Sequence, residues 1–153
     1  MVILGLDPGI ARTGFGVINT EQTNSFVRCG CLITPQHLPL EDRLLMLGQD
    51  LTALLEAQHP DIAVVESVFF GNNKKTAMMT AQARGVLLFI LRQHHIQVES
   101  LTPLQIKSRL TGYGAATKDQ IQTLVTKLLH LDKVPQPDDA ADALAAALSV
   151  VTF

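Results

Sequence analysis

Two short apolar runs, each closed by an acidic residue, limit most strongly how this chain can fold. Residues 2–6 read Val-Ile-Leu-Gly-Leu and end at Asp7, which a Pro-Gly turn follows. Residues 62–65 read Ile-Ala-Val-Val and end at Glu66. Short apolar runs bounded by turn residues are typical of buried strands. If the two strands are parallel neighbours, both carboxylates emerge at one edge of a sheet.

The rest of the pattern predicts a mixed α/β chain. Residues 13–20 and 25–34 are typical of two further strands that continue an antiparallel meander. Leucines at helical spacing after Pro39 predict a helix, and an apolar helix at 76–93, a strand at 97–101 and three more helices follow. We expect one domain over residues 1–153, with a mixed sheet covered by helices on both faces.

Composition excludes several classes of protein. Of 153 residues, 47% are apolar and 17% are charged, which argues against disorder. Cys29 and Cys31 are the only cysteines and lie two apart on a predicted strand, so neither a disulfide framework nor a zinc site is expected. No secretory signal and no membrane span are predicted, and the expected location is the cytoplasm.

Charge is unevenly distributed along the chain, although the net charge is only −2. Residues 1–66 hold three basic and eight acidic residues, residues 67–133 hold nine and three, and residues 134–153 hold none and three. A basic middle region between acidic flanks favours a protein that contacts phosphate with one region and metal with another.

Two more acids complete a candidate catalytic group. Asp139 and Asp142 are three residues apart on the last predicted helix and therefore share a face. Asp7 could instead be a turn residue, Glu66 could be solvated, and either Asp138 or Asp139 could cap the helix, with Asp138 the better candidate.

Carboxylates gathered in one place raise each other's pKa and repel, so such a group needs a cation. Oxygen ligands without His or Cys suit Mg²⁺ or Mn²⁺. Two such ions about 4 Å apart can activate water and stabilise the leaving oxygen of a phosphodiester. The expected reaction is in-line hydrolysis that leaves a 5′-phosphate and a 3′-hydroxyl.

Five short motifs resemble those of the RuvC family of Holliday-junction resolvases. They are Gly-Leu-Asp-Pro-Gly at 5–9, Thr-Gly-Phe-Gly at 13–16, Val-Glu-Ser-Val-Phe at 65–69, Gln-Ala-Arg-Gly at 82–85 and Asp-Ala-Ala-Asp-Ala-Leu at 139–144. The resemblance runs along nearly the whole chain in the expected order. It implies a ribonuclease-H-like fold with a mixed five-stranded sheet, and a Mg²⁺-dependent endonuclease that resolves four-way DNA junctions in recombination and repair.

The resemblance also implies roles for individual residues. The metal-binding catalytic acids would be Asp7, Glu66, Asp139 and Asp142, holding two Mg²⁺ ions for which Mn²⁺ can substitute. Catalytic lysines would be Lys107 and Lys118, which could offset negative charge in the transition state. DNA-binding residues would be Phe69, Phe70, Asn73, Lys74, Lys75 and Arg84, with Phe69 near the unpaired junction centre. The family further implies a homodimer and a branch-migration helicase complex as partners.

Other readings remain open from the sequence. Residues 6–14 resemble the first phosphate motif of actin-like and sugar kinases, but the chain is too short for two lobes and lacks a second glycine-rich loop. A RuvC-like nuclease of RNA maturation would share the acids, and a non-catalytic junction-binding module would bind without cutting.

Overall fold

The structure is a computed structural model that describes residues 1–21, 25–67 and 74–151, with only the backbone described at position 74. These residues form five strands and five helices. The strands are β1 (Val2–Asp7), β2 (Arg12–Asn19), β3 (Phe26–Ile33), β4 (Ile62–Glu66) and β5 (Gln97–Leu101). The helices are α1 (Leu40–Gln58), α2 (Lys74–Gln93), α3 (Pro103–Thr111), α4 (Lys118–Leu128) and α5 (Asp138–Leu148).

The sheet has the order β3-β2-β1-β4-β5. Strand β1 pairs antiparallel with β2 and parallel with β4, and β4 pairs parallel with β5. Leu6 is opposite Val65, so Asp7 and Glu66 end adjacent parallel strands at the same edge. The mixed five-stranded sheet predicted from the sequence is confirmed.

Helices cover both faces of the sheet, as predicted, because alternate strand residues are apolar on each face. Helices α1 and α2 pack on one face around Leu47, Leu51, Leu87 and Leu91. Helices α3, α4 and α5 pack on the other face around Ile106, Ile121, Val125 and Leu144. Ile3 and Val64 point toward the second core, which is the face shared by the side chains of Asp7 and Glu66.

Helix α5 lies directly on the backbone of β1 and β2. A Cβ atom at Gly5 would lie 1.9 Å from the carbonyl oxygen of Ala143, and one at Gly14 would lie 2.0 Å from that of Asp139. Only glycine, which has no Cβ atom, permits this approach on the strands. On the helix, the small alanine side chains of α5 allow its backbone to come equally close. The acids of α5 are thereby brought down to the sheet.

Helix ends follow the predicted signals. Capping boxes formed by Thr102 with Gln105, and by Thr117 with Gln120, begin α3 and α4. Gly112 ends α3 in the left-handed conformation at φ 82°. Within the parts of the chain that the structure covers, no helix combines the length and apolar character needed to cross a bilayer.

Candidate active site

A cleft of about 200 Å³ opens at the edge where β1 and β4 end. Its polar lining comes from the sheet, α3, α4 and α5, and its apolar wall comes from the same helices. The polar lining residues are Asp7, Glu66, Lys107, Lys118 and Asp142; the apolar ones are Pro103, Ile106, Ile121 and Ala145. The structure therefore gathers three of the four predicted acids and both predicted lysines at one place.

Asp7 and Glu66 are the most perturbed acids of the cleft. Burial, with repulsion from Glu66, Asp142 and Asp139, raises the pKa of Asp7 from 3.8 to about 8. Burial, with repulsion from Asp142, raises the pKa of Glu66 from 4.5 to about 7, although Lys107 and Lys118 oppose the rise. Among the residues described, neither carboxylate has a salt bridge or a hydrogen bond, so both groups resist ionisation, and a bound cation would favour their charged forms.

The two predicted catalytic acids of α5, Asp139 and Asp142, are each paired with a base. Lys118 Nζ lies 3.1 Å from Asp142 Oδ2, and Arg12 Nε lies 3.5 Å from Asp139 Oδ2. Burial nevertheless raises the pKa of Asp142 above its ordinary value. Asp139 is close enough to raise the pKa of Asp7 but does not line the cleft. Arg12 was not singled out from the sequence, although it directly follows the turn after Asp7.

The prediction that Asp138 caps α5 is wrong. Pro137 occupies the cap position without a side-chain hydrogen bond, and Asp138 is the first helical residue. Lys118 Nζ lies 3.1 Å from Asp138 Oδ2, and Gln122 donates to Asp138 Oδ1 at 3.3 Å. These two partners on α4 hold the carboxylate away from the helix amides, and they lower its pKa.

The turn that follows Asp7 is fixed from the opposite side of the sheet. Thr34 Oγ1 donates to the carbonyl oxygen of Ile10, and Arg43 Nε donates to Thr34 Oγ1 at 3.0 Å. Arg43 is buried, and its Nη2 finds no hydrogen-bond partner among the described residues. This relay limits the movement of the backbone that carries Asp7.

The predicted DNA-binding residues are only partly visible. Phe69, Phe70 and Asn73 lie outside the described residues, as does the side chain of Lys74. Lys75 is exposed at the start of α2. Arg84 is half-buried: its Nε donates to the carbonyl oxygen of Glu66 at 3.2 Å, and its Nη2 donates to Ser100 Oγ at 2.7 Å in a bond that is exposed to solvent. Its assignment to DNA binding remains a prediction.

The residues present suit a hard divalent cation in chemistry but do not yet form a closed ligand shell. Across residues 1–21, 25–67 and 74–151, no three Asp, Glu, His or Cys side chains are placed as a group that could hold a metal ion. Asp7 and Glu66 nevertheless offer unpaired oxygen donors, and Asp142 is shared with a half-exposed lysine that can move away. The donor set thus fits Mg²⁺ better than a soft metal.

The sequence is similar to one family of known proteins over nearly its whole length. The family described as crossover junction endodeoxyribonuclease RuvC matches residues 3–150. Proteins of that name from Dictyoglomus thermophilum and Roseiflexus are 43% and 47% identical over 152 and 148 residues. These alignments cover 99% and 95% of this chain, and 96% and 87% of the relatives.

Solved structures agree with the sequence relatives. Thermus thermophilus RuvC in complex with a Holliday junction substrate superposes with a TM-score of 0.90 at 29% identity, covering 97% of this chain and 92% of that one. The yeast mitochondrial Holliday junction resolvase Ydc2 shares the fold, with a TM-score of 0.63 at 16% identity, covering 96% and 77% of the two chains. The predicted ribonuclease-H-like fold is confirmed, and the chain belongs to the RuvC family of crossover junction endodeoxyribonucleases.

Proposed function

We propose that this chain is a structure-selective endonuclease that resolves four-way DNA junctions by paired nicks in recombination and repair. The observation that carries the proposal is the cleft in which Asp7 and Glu66 lie unpaired beside Lys107 and Lys118. Membership of the RuvC family supports the same activity, as does the junction complex of the Thermus relative.

In this proposal Asp7, Glu66, Asp139 and Asp142 hold two Mg²⁺ ions, with Mn²⁺ as a substitute. A divalent metal held by these acids would supply the activation of water and the stabilisation of the leaving oxygen. Asp7 and Glu66 supply their oxygens from the ends of adjacent parallel strands, so the sheet fixes their relative positions.

The lysines act on the phosphate. Lys107 and Lys118 line the cleft, and Lys118 can exchange Asp138 and Asp142 for a DNA phosphate because its side chain is 48% exposed. Their charge then offsets the negative charge that develops as water attacks phosphorus. The P–O3′ bond breaks and the O3′ atom takes up a proton, which yields a 5′-phosphate and a 3′-hydroxyl.

DNA binding is proposed to use the basic middle region. Lys75 is exposed beside the segment that holds Phe69, Phe70, Asn73 and Lys74. Lysines there would contact backbone phosphate, and Phe69 would stack on an unpaired base at the junction centre. Binding should therefore weaken steeply as salt concentration rises.

The test is cleavage of a labelled four-way junction and a matching linear duplex in Mg²⁺. Paired nicks confined to the junction, lost in Asp7→Asn with binding retained, would support the proposal. Asp50→Asn, an exposed carboxylate on α1, is the matched control and should cut normally. Tight binding without cleavage in any metal would indicate a binding module, and cleavage of structured RNA in place of DNA would indicate a nuclease of RNA maturation.

We also propose that two copies pair through the exposed apolar face of α1 and α2. Leu45, Met78 and Phe89 are 61%, 64% and 67% exposed there. A four-way junction has nearly two-fold symmetry, so two symmetric cuts require two sites related by a two-fold axis. Phe89→Glu should shift the protein from dimer to monomer in sedimentation velocity, whereas Leu104→Glu, equally exposed on α3, should not.

We propose one nuclease domain over residues 1–153, a cytoplasmic location, and association with a branch-migration helicase complex. Stimulation of cleavage by that complex on a junction that must first be moved to a preferred sequence would test the association. Equal cleavage with and without the helicase would argue against it.

A further inference from the structure

Arg84 spans the ends of two strands beneath the candidate active site. It projects from α2, and its guanidinium donates to the main-chain oxygen of Glu66 at 3.2 Å and to Ser100 Oγ at 2.7 Å. Glu66 is the last residue of β4, and Ser100 is the residue before the end of β5. Two of the three guanidinium nitrogens are therefore committed to the strand ends.

The contact reaches Glu66 from the side opposite to the cleft. Helix α2 packs on the face of the sheet covered by α1, whereas the Glu66 carboxylate points toward α3, α4 and α5. The peptide group that follows Glu66 is held at both ends, because its Ser67 amide donates to the Leu101 carbonyl oxygen and its carbonyl oxygen accepts from Arg84. A donor to the Glu66 carbonyl oxygen therefore limits rotation of that peptide, and with it the direction in which the carboxylate leaves the backbone.

Through Ser100, the same guanidinium also contacts the strand that leads into α3, the helix that carries Lys107. Ser100 is followed by Leu101 and by Thr102, which begins α3, and α3 carries Lys107 into the cleft. Beyond Glu66, the amide of Ser67 donates to the Leu101 carbonyl oxygen at 2.8 Å. Arg84 thus joins the two strand ends that deliver an acid and a lysine to the cleft.

We propose that Arg84 is a positioning residue that fixes Glu66 and the start of α3, rather than a residue that contacts DNA. The inference rests on the proposed function, since it assigns Arg84 to the preparation of that site. Groups that orient metal ligands typically change activity or metal affinity by about 10- to 100-fold when they are replaced. A lysine in place of Arg84 keeps the positive charge but cannot donate to Glu66 and Ser100 at once, as the planar guanidinium does. This substitution therefore separates the effect of the charge from the effect of the two hydrogen bonds.

The experiment compares Arg84→Lys and Arg84→Met with Arg92→Lys. Arg92 is the matched control, because it lies on the same helix and donates to the Ile96 carbonyl oxygen at 2.8 Å, away from the cleft. Junction affinity and its salt dependence are measured without cleavage in Ca²⁺. Single-turnover cleavage at saturating protein and the Mg²⁺ concentration for half-maximal rate are measured separately.

The positioning role predicts that Arg84→Lys and Arg84→Met both bind junctions with unchanged salt dependence. Both should cleave about 10- to 100-fold more slowly and require more Mg²⁺, while Arg92→Lys resembles the native chain. A DNA contact predicts instead that Arg84→Met loses affinity, with a salt slope reduced by about one, and that bound junctions are cut at the native rate. That result would overturn the inference, as would native behaviour of both variants.

Amide hydrogen exchange at Ser67 in the metal-free protein provides a readout that needs no activity. Loss of the Arg84 contact should speed exchange at Ser67 in Arg84→Lys, with melting temperatures close to native. Unchanged exchange would overturn the inference even if cleavage falls. If the native chain cuts no junction, the proposed function fails, and the exchange result still decides whether Arg84 orders the strand end.

Discussion

The metal-free protein should become more stable when Asp7 is replaced by Asn. The carboxyl pKa of Asp7 is raised from 3.8 to about 8 by burial and by neighbouring acids. The folded protein therefore binds more protons than the unfolded chain between these pH values, so stability falls as pH rises from about 4 to about 8. Asparagine has nearly the same shape and carries no charge, which removes this loss.

The size of the effect follows from the pKa. A carboxyl pKa displaced from 3.8 to about 8 corresponds to at most about 6 kcal/mol once the group is ionised. Water in the open cleft and small movements of the acids reduce this penalty, so we expect about 2–3 kcal/mol at pH 8. For a domain of this length the melting temperature should rise by roughly 5–10 °C.

The assay is thermal unfolding of the native chain, Asp7→Asn and Asp50→Asn in EDTA at several pH values. The gain in Asp7→Asn should be largest at pH 8 and should vanish near pH 4, while the exposed Asp50 control stays close to native. Millimolar Mg²⁺ should stabilise the native chain more than Asp7→Asn, since binding to the folded state adds stability. If Asp7→Asn melts at or below the native temperature at pH 8, the cleft does not hold unpaired charge and the reasoning is refuted.

Three further substitutions test the packing and the helix ends by chemical denaturation. Gly5→Ala should cost about 3 kcal/mol or more, because its Cβ atom would lie 1.9 Å from the Ala143 carbonyl oxygen. Gly85→Ala on α2 has no atom within 4 Å of the new Cβ and should stabilise by about 0.5–1 kcal/mol. Thr117→Ala removes the side-chain acceptor for the Gln120 amide and should cost about 1 kcal/mol. For Gly5→Ala, an unchanged denaturation midpoint would contradict the close contact of α5 with β1.

Much of the fold could be predicted because it depends on local patterns. The runs before Asp7 and Glu66 indicated strands, and capping residues such as Thr102 and Thr117 indicated helix starts. Strand ends and helix faces also predicted that Asp139 and Asp142 would meet the two strand acids; Asp142 lines the cleft with them, whereas Asp139 does not. These features need only periodicity and the geometry of a sheet.

The polar contacts of the site could not be predicted in the same way. Lys118 on α4 forms salt bridges with both Asp138 and Asp142 on α5. Arg12 pairs with Asp139, and Arg84 donates to the main-chain oxygen of Glu66. Long charged side chains choose their partners only after the tertiary structure has formed, and several acids compete for each base. A sequence pattern identifies such residues as polar and leaves their direction open.

The contact between α5 and the sheet has a consequence for motion within the site. Layers separated by large side chains can shift as rotamers change, but at Gly5 and Gly14 main chain meets main chain. A displacement of α5 along β1 or β2 would bring backbone atoms into collision, so the acids of the helix and those of the strands should fluctuate together as one rigid body. The site would then adjust to a bound substrate by changes in side-chain torsions and by movement of α3 and α4, whose larger apolar side chains can repack.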